Sequence, residues 1–242
     1  MALLADPRWA RVIIVALRRS PVPQFSMENL LTLHSVSMGF PRVWRKRSLT
    51  GSAERDKNDS PLLFSNLNFS IQSGERVAVT GRNGVGKTTL LKLLAGMLHP
   101  TNGELKLQGV PTWKLPRENF GLSLGTRLLY PDLTGFQNLA YTAALLGIED
   151  KEIEAHAQQW GIQSIWLDNL VETYSMGQRS LLALARAAFG TPRLLLLDEP
   201  TAYLDAVHKK LVGKQLVKLP ATVVYTTQEP VPDLPFDREI AL

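Results

Sequence analysis

The sequence predicts an α/β fold with a mainly parallel central sheet, an N-terminal antiparallel β part and an inserted helical subdomain. Three observations carry that expectation. A glycine-rich run, Gly81 to Thr89, lies between an apolar strand-like stretch (Arg76 to Thr80) and a helix-like one that begins near Lys87. Leu194-Leu195-Leu196-Leu197 is an uninterrupted apolar segment, the pattern of a strand covered on both faces. Strand-like and helix-like segments alternate on either side of a helical middle, as the crossovers of a parallel sheet require.

Each element follows in chain order. Residues 1–26 form a basic N-terminal extension in which Arg8, Arg11, Arg18 and Arg19 flank the apolar run Val12 to Leu17, ahead of a proline-rich breaker. An Arg-rich, acid-poor stretch suits a membrane-surface or targeting segment, and equally a poorly ordered extension before a natural start at Met27; no small-residue cleavage pattern marks a signal peptide. From Met27 the chain reads as strand, and residues 27–242 form one domain. A polar loop insertion over residues 41–60 interrupts an antiparallel strand pair completed by Leu67 to Ile71. A strand (Arg76 to Thr80), a helix (Lys87 to Leu98) and a strand (Glu104 to Leu107) come next. The helical subdomain occupies about residues 120–190, with 3.6-residue apolar spacing over Gly135 to Leu146 and Asp150 to Trp160 and with Gly147 and Gly161 as helix ends. The α/β pattern then returns: helix (Gln178 to Phe189), strand (Arg193 to Leu197), helix (Ala206 to Val217), strand (Ala221 to Thr226) and a last strand near Arg238 to Ala241.

Composition removes several function classes. The 242 residues are 45% apolar and contain no cysteine, so a substantial core is available, whereas a disulfide framework and thiolate metal sites are not. No apolar run reaches the roughly 18 to 20 residues that span a bilayer. The net charge of +5 is unevenly distributed. Residues 1–57 hold ten Lys/Arg against four Asp/Glu, and residues 58–242 hold seventeen against eighteen. The nearly neutral body carries no nucleic-acid footprint, and no nucleic-acid partner is expected.

The chemistry is concentrated in three places. Gly81, four intervening residues and then Gly86-Lys87-Thr88 form a phosphate loop, in which glycines allow backbone N–H groups to wrap phosphates. This is the core of a P-loop NTPase. The expected ATP-binding set is Gly81, Asn83, Gly84, Val85, Gly86, Lys87, Thr88 and Thr89. Lys87 reaches the β- and γ-phosphates, Thr88 ligates Mg²⁺, and the helix N-terminus adds its positive dipole end. Asp198 and Glu199 follow the apolar strand, where an α/β sheet presents ligands. Asp198 is the candidate Mg²⁺ acid, directly or through water, and Glu199 the candidate general base. Finally, Tyr174-Ser175-Met176-Gly177-Gln178 precedes an Ala/Leu-rich helix, with Ser175 as its N-cap, a position suited to meeting an anion.

Taken in order, the phosphate loop, the Ser-x-Gly-Gln turn, LLLLDEP and then Thr201-Ala202-Tyr203-Leu204-Asp205 resemble the nucleotide-binding subunit of the ATP-binding cassette (ABC) transporter family, over about residues 28–242. The resemblance implies that two such domains close head to tail. Ser175, Gly177 and Gln178 would then touch ATP held by a second ATP-binding subunit, in a homodimer or a heterodimer, Asp205 would couple the two sites, and Phe40 would stack on adenine or else be a core residue. It also implies polytopic membrane subunits as partners and a peripheral place on the cytoplasmic face of the membrane. Three positions depart from the family pattern. L-S-G-G-Q reads YSMGQ here, with Met176 for the first glycine. The usual glutamine is replaced by Gly125 or Thr126, and the switch histidine is Gln228, which hydrogen-bonds but carries no proton or charge. Normal ATP binding with slow hydrolysis is the expected result. Pro131-Asp132-Leu133-Thr134-Gly135 with Asn138-Leu139 resembles a run found in exporter-type members, which favours an export motor. A soluble ABC ATPase in a non-transport assembly and an ATP-binding regulator with slow hydrolysis stand as alternatives.

Overall fold

The computed structural model describes residues 29–40, 62–116, 120–228 and 234–242. The expected extension over 1–26 and the polar insertion over 41–60 lie outside the described residues. The first sheet joins β1 (Leu31–Gly39), β2 (Leu62–Ile71), β4 (Asn102–Leu107) and β5 (Val110–Pro111) in the order β2-β1-β4-β5. Its pairs are antiparallel, with Leu31 opposite Ile71 on one side and Leu107 on the other. The second sheet contains β3 (Arg76–Thr80), β6 (Phe120–Ser123), β7 (Leu194–Asp198), β8 (Thr222–Thr226) and β9 (Arg238–Ala241), ordered β6-β7-β8-β3-β9. All of its pairings are parallel.

Two apolar cores explain why the central strands contain almost no polar residues. Along β7, Leu194 and Leu196 enter a core with Val77, Val79, Leu90, Leu91 and Val224. Leu195 and Leu197 enter the other, with Leu139, Leu182, Ala185, Val223 and Tyr225. Successive side chains of a strand point to opposite faces, so a strand between two cores must be apolar at every position.

The helices are α1 (Lys87–Leu94), α2 (Gly135–Leu146), α3 (Ile153–Gln159), α4 (Ser164–Leu167), α5 (Met176–Ala188) and α6 (Ala206–Lys218). Helix α1 stops at Leu94 rather than the expected Leu98. Gly96 takes φ +64, and the bonds Gly96 N to Leu93 O and Met97 N to Lys92 O close the helix in a Schellman turn. Residues 150–160, expected as one helix, divide into a 3₁₀ turn (Asp150–Glu152) and α3. Phe120–Ser123, at the start of the expected helical region, is instead a strand of the parallel sheet. Four residues are too few for periodicity to separate helix from strand. Gly121 explains how closely this strand packs: a Cβ there would lie 2.0 Å from the carbonyl oxygen of Ala187 on α5.

Candidate functional site

The site lies at the C-terminal ends of β3, β7 and β8, where the parallel strands hand over to loops. Gly81, Gly84 and Gly86 take φ +145, +82 and +115, conformations glycine adopts without steric penalty. Gly86 is constrained twice, since a Cβ would meet Leu63 Cδ2 at 2.8 Å and Phe64 Cδ1 at 2.9 Å. β2 is therefore the back wall of the phosphate loop. Lys87 is buried, and its Nζ donates to the carbonyl oxygens of Gly81 (2.7 Å) and Arg82 (3.3 Å). The same ammonium lies 3.9 Å from Glu199 Oε1.

The acids are held from three directions. Thr88 Oγ1 donates to Asp198 Oδ2 at 2.7 Å, and Thr226 Oγ1 donates to Asp198 Oδ1 at 2.6 Å. The Glu199 N–H donates to Thr226 Oγ1 (3.0 Å) and to the Thr226 carbonyl (3.2 Å), with Glu199 at φ +46. Among the described residues no cluster of three or more His, Cys, Asp or Glu is placed to hold a metal. The oxygens available to a cation here are the Thr88 hydroxyl and the Asp198 carboxylate. The geometry fits Mg²⁺: neighbouring ligands of an octahedral ion with bonds of about 2.05 Å lie about 2.9 Å apart, close to the Thr88–Asp198 separation of 2.7 Å.

Two cavities meet at this point. One, of about 290 Å³, is lined by Phe40, Leu63, Asn83, Gly84, Gly86, Lys87, Thr88, Thr89 and Glu199. It gathers most of the expected ATP-binding set, and Phe40 is 48% exposed at its wall rather than a core residue. Gly81 and Val85 belong to the loop backbone, Val85 N donating to Arg82 O at 3.3 Å. The second cavity, of about 250 Å³, shares Thr88 and Glu199 with the first and adds Asp198, Gly125, Thr126, Arg127, Met176 and Tyr203 among its walls. The two positions where the resemblance anticipates glutamine both line this cavity: Gly125, which begins a 3₁₀ turn (Gly125–Leu128) and presents no side chain, and Thr126. Gln228 is exposed just beyond β8 and lines neither cavity.

The turn before α5 is a capping box. Gln178 N donates to Ser175 Oγ at 3.2 Å, and Ser175 N donates to Gln178 Oε1 at 2.8 Å. Ser175 is exposed, and neither it nor Gly177 or Gln178 lines the phosphate-loop cavity. A Cβ on Gly177 would lie 3.2 Å from the Tyr203 carbonyl, so this turn and the loop before α6 are neighbours. Asp205 caps α6, accepting from His208 N at 2.9 Å and pairing with His208 Nδ1 at 2.9 Å. The hydrogen bond from the His208 backbone, followed by that from its side chain, holds the Asp205 carboxyl below the ordinary range. Sequence reasoning did not single out Thr226. Its signal was positional: a hydroxyl residue at the C-terminal end of a strand whose middle residues, Val223 to Tyr225, are apolar or aromatic.

Residues 64–202 match the family model described as ABC transporter. The chain belongs to the ABC transporter ATP-binding family. Membership carries the domain's chemistry, Mg²⁺-dependent binding and hydrolysis of ATP. It is 31% identical over 193 residues to the ABC transporter ATP-binding protein NatA of Bacillus subtilis (strain 168), covering 74% of this chain and 78% of that protein. It is 37% identical over 161 residues to the cytochrome c biogenesis ATP-binding export protein CcmA of Xanthomonas oryzae pv. oryzae (strain MAFF 311018), covering 66% and 75%. It is 34% identical over 174 residues to the spermidine/putrescine import ATP-binding protein PotA of Spiroplasma citri, with 69% of this chain but 49% of that protein. The chain thus spans about half the length of PotA, and its likeness extends to an importer and an exporter alike. Among solved structures, the dimeric post-hydrolysis state of the ATP-binding cassette MJ0796 bound to ADP and Pi superposes with a TM-score of 0.68 at 22% identity, covering 82% of this chain and 88% of that one. CbiO1 from Clostridium perfringens, part of the ABC transporter complex cbiONQ, gives 0.63 at 24%, covering 84% and 79%. These likenesses are of fold. No helix among the described residues is long and apolar enough to cross a membrane.

Proposed function

We propose that this ABC domain is the ATP-hydrolysing subunit of a transporter, in which two ATP-binding subunits close head to tail and drive export through separate polytopic membrane subunits at the cytoplasmic face. The observation that carries the reading is the separation of the two anion-ready elements. The phosphate loop and Glu199 form one wall, while Ser175, Gly177 and Gln178 line no part of the same chain's phosphate-loop cavity, and of that turn Met176 alone reaches the adjoining cavity with Asp198. A second ATP-binding subunit, a copy of this chain or a different one, supplies the missing wall, in the manner of the dimeric MJ0796 bound to ADP and Pi.

Within each site, Lys87 and the backbone N–H groups from Gly81 to Thr89 bind the phosphates, and Phe40 stacks on adenine. Thr88 and Asp198 hold Mg²⁺, which neutralises phosphate charge. Glu199 takes the proton of the attacking water, and Gln228 donates a hydrogen bond to the γ-phosphate. Ser175, Gly177 and Gln178 close on the partner's nucleotide, and Asp205 joins the two sites. Export as the direction is supported by the likeness to CcmA. The test is Glu199→Gln. Removing the base should slow hydrolysis by about 10²-fold or more while ATP stays bound, so light scattering should show a dimer with ATP and a monomer without it. A variant that remains monomeric with saturating ATP would overturn the head-to-tail reading for two copies of this chain. Co-purification with a membrane subunit, and substrate movement in vesicles containing the assembled complex, test the transport role and its direction.

A further inference from the structure

Thr226 ends β8 and is fully buried. In the parallel pairing of β7 with β8 its Cα is the partner of the Asp198 Cα, which sets the two side chains next to each other. A hydroxyl has one hydrogen to give. Thr226 Oγ1 accepts the Glu199 N–H at 3.0 Å, and its own hydrogen goes to Asp198 Oδ1 at 2.6 Å. One buried group thereby restrains both acids of the site. Asp198 has one oxygen committed to Thr226 and the other facing Thr88. Glu199 is kept at φ +46, a region disfavoured for a residue with a side chain and retained only where surrounding bonds impose it.

We infer that Thr226 is a positioning residue for metal binding and hydrolysis: its hydroxyl aims the Asp198 carboxylate at the cation and sets the direction in which Glu199 projects. The inference rests on the roles proposed above for Asp198 and Glu199. Valine has nearly the shape of threonine and fills the same buried volume, but it leaves an Asp198 oxygen without this partner and the Glu199 N–H with the Thr226 carbonyl at 3.2 Å alone. Loss of a group that orients a metal-binding side chain costs roughly 10- to 100-fold in metal affinity or activity.

The test uses the full chain with Mn²⁺ as the probe, titrated by electron paramagnetic resonance in the presence of a non-hydrolysable ATP analogue. Thr226→Val should weaken Mn²⁺ binding by roughly 10- to 100-fold and lower kcat comparably, with metal-free nucleotide affinity unchanged. Thr226→Ser, which keeps the hydroxyl, should recover both. Wild-type Mn²⁺ affinity in Thr226→Val would overturn the inference, and so would equal impairment of the Val and Ser variants, because packing would then be the cause. Asp198→Asn separates the two levels. If it weakens Mn²⁺ binding while Thr226→Val does not, this inference alone fails; if neither does, the assignment of Asp198 fails as well.

Discussion

At the scale of single residues, the phosphate loop and the two acids lie together, whereas Gly125 and Gln228 depart from the side chains the family resemblance anticipates. Thr88 lies 2.7 Å from Asp198 and Lys87 lies 3.9 Å from Glu199, and Thr226 links the two acids. Gly125, in contrast, adds no side chain to the second cavity, and Gln228 stands exposed outside both. A glutamine side chain exchanges no proton in the physiological range, whereas histidine does. Gln228→His should therefore raise turnover by about 10-fold in the assembled complex, with the KM for ATP little changed. Steady-state phosphate release on the two proteins checks this, and an unchanged kcat would remove proton handling at 228 from the account. The residues whose chemistry was readable beforehand are those whose signal is contiguous: the phosphate loop and the Asp198-Glu199 pair are each defined by neighbours in sequence. Thr226 acts across 28 positions through strand pairing, and Leu63 and Phe64 act by occupying the space a side chain on Gly86 would need. Local sequence shows Thr226 at a strand end but names the partner in neither relationship.

At the scale of elements, the start of α5 has two duties that substitution can separate. Ser175 caps the helix in a reciprocal box with Gln178, and its exposed hydroxyl is the group proposed to meet a partner's nucleotide. Serine and aspartate cap helices about equally well, and loss of a cap costs about 1 kcal/mol. Ser175→Asp should accordingly leave the melting temperature nearly unchanged while placing a negative charge against ATP, abolishing nucleotide-driven dimerisation in the Glu199→Gln background. Thermal unfolding together with light scattering reads both effects, and a dimer that still forms would detach this turn from the composite site. The neighbouring run from Pro131 to Leu139 shows how a resemblance can have a structural cause. Asn138 is fully buried, and its amide donates to the carbonyls of Tyr130 (3.0 Å) and Thr134 (3.0 Å) while its oxygen accepts from Tyr130 N at 2.9 Å. Thr134 in turn caps α2 in a box with Gln137. These residues shape the entry to the helical region whichever way a substrate moves. Helix ends were legible where glycine marks them, as at Gly147. The end of α1 was not, because the apolar residues Met97 and Leu98 continue past the glycine that stops it.

At the scale of the whole molecule, the helical region is joined to the parallel sheet through α5, and His156 is one of the pins. It projects from α3, donates from Nε2 to the Ala185 carbonyl of α5 at 2.7 Å, and packs its ring 4.4 Å from that of Phe189. Burial lowers its pKa below the ordinary value of 6.5, outweighing the opposing effect of the bond to Ala185, and no charged side chain among the described residues contributes. The sign of the linkage follows. Above about pH 6.5 the ring is neutral in folded and unfolded chains alike, and its contribution to stability is fully present. As the pH falls through that value the unfolded chain takes up a proton that the folded chain resists, so stability is lost until the lower folded pKa is reached. Melting temperature should decline as the pH falls through and below about 6.5 in the wild-type protein. His156→Gln, which keeps a donor for Ala185 but does not titrate, should flatten that decline. A wild-type slope retained in His156→Gln would assign the acid sensitivity to other groups. The flattened slope would place it at the contact between the helical region and the sheet that carries the nucleotide site.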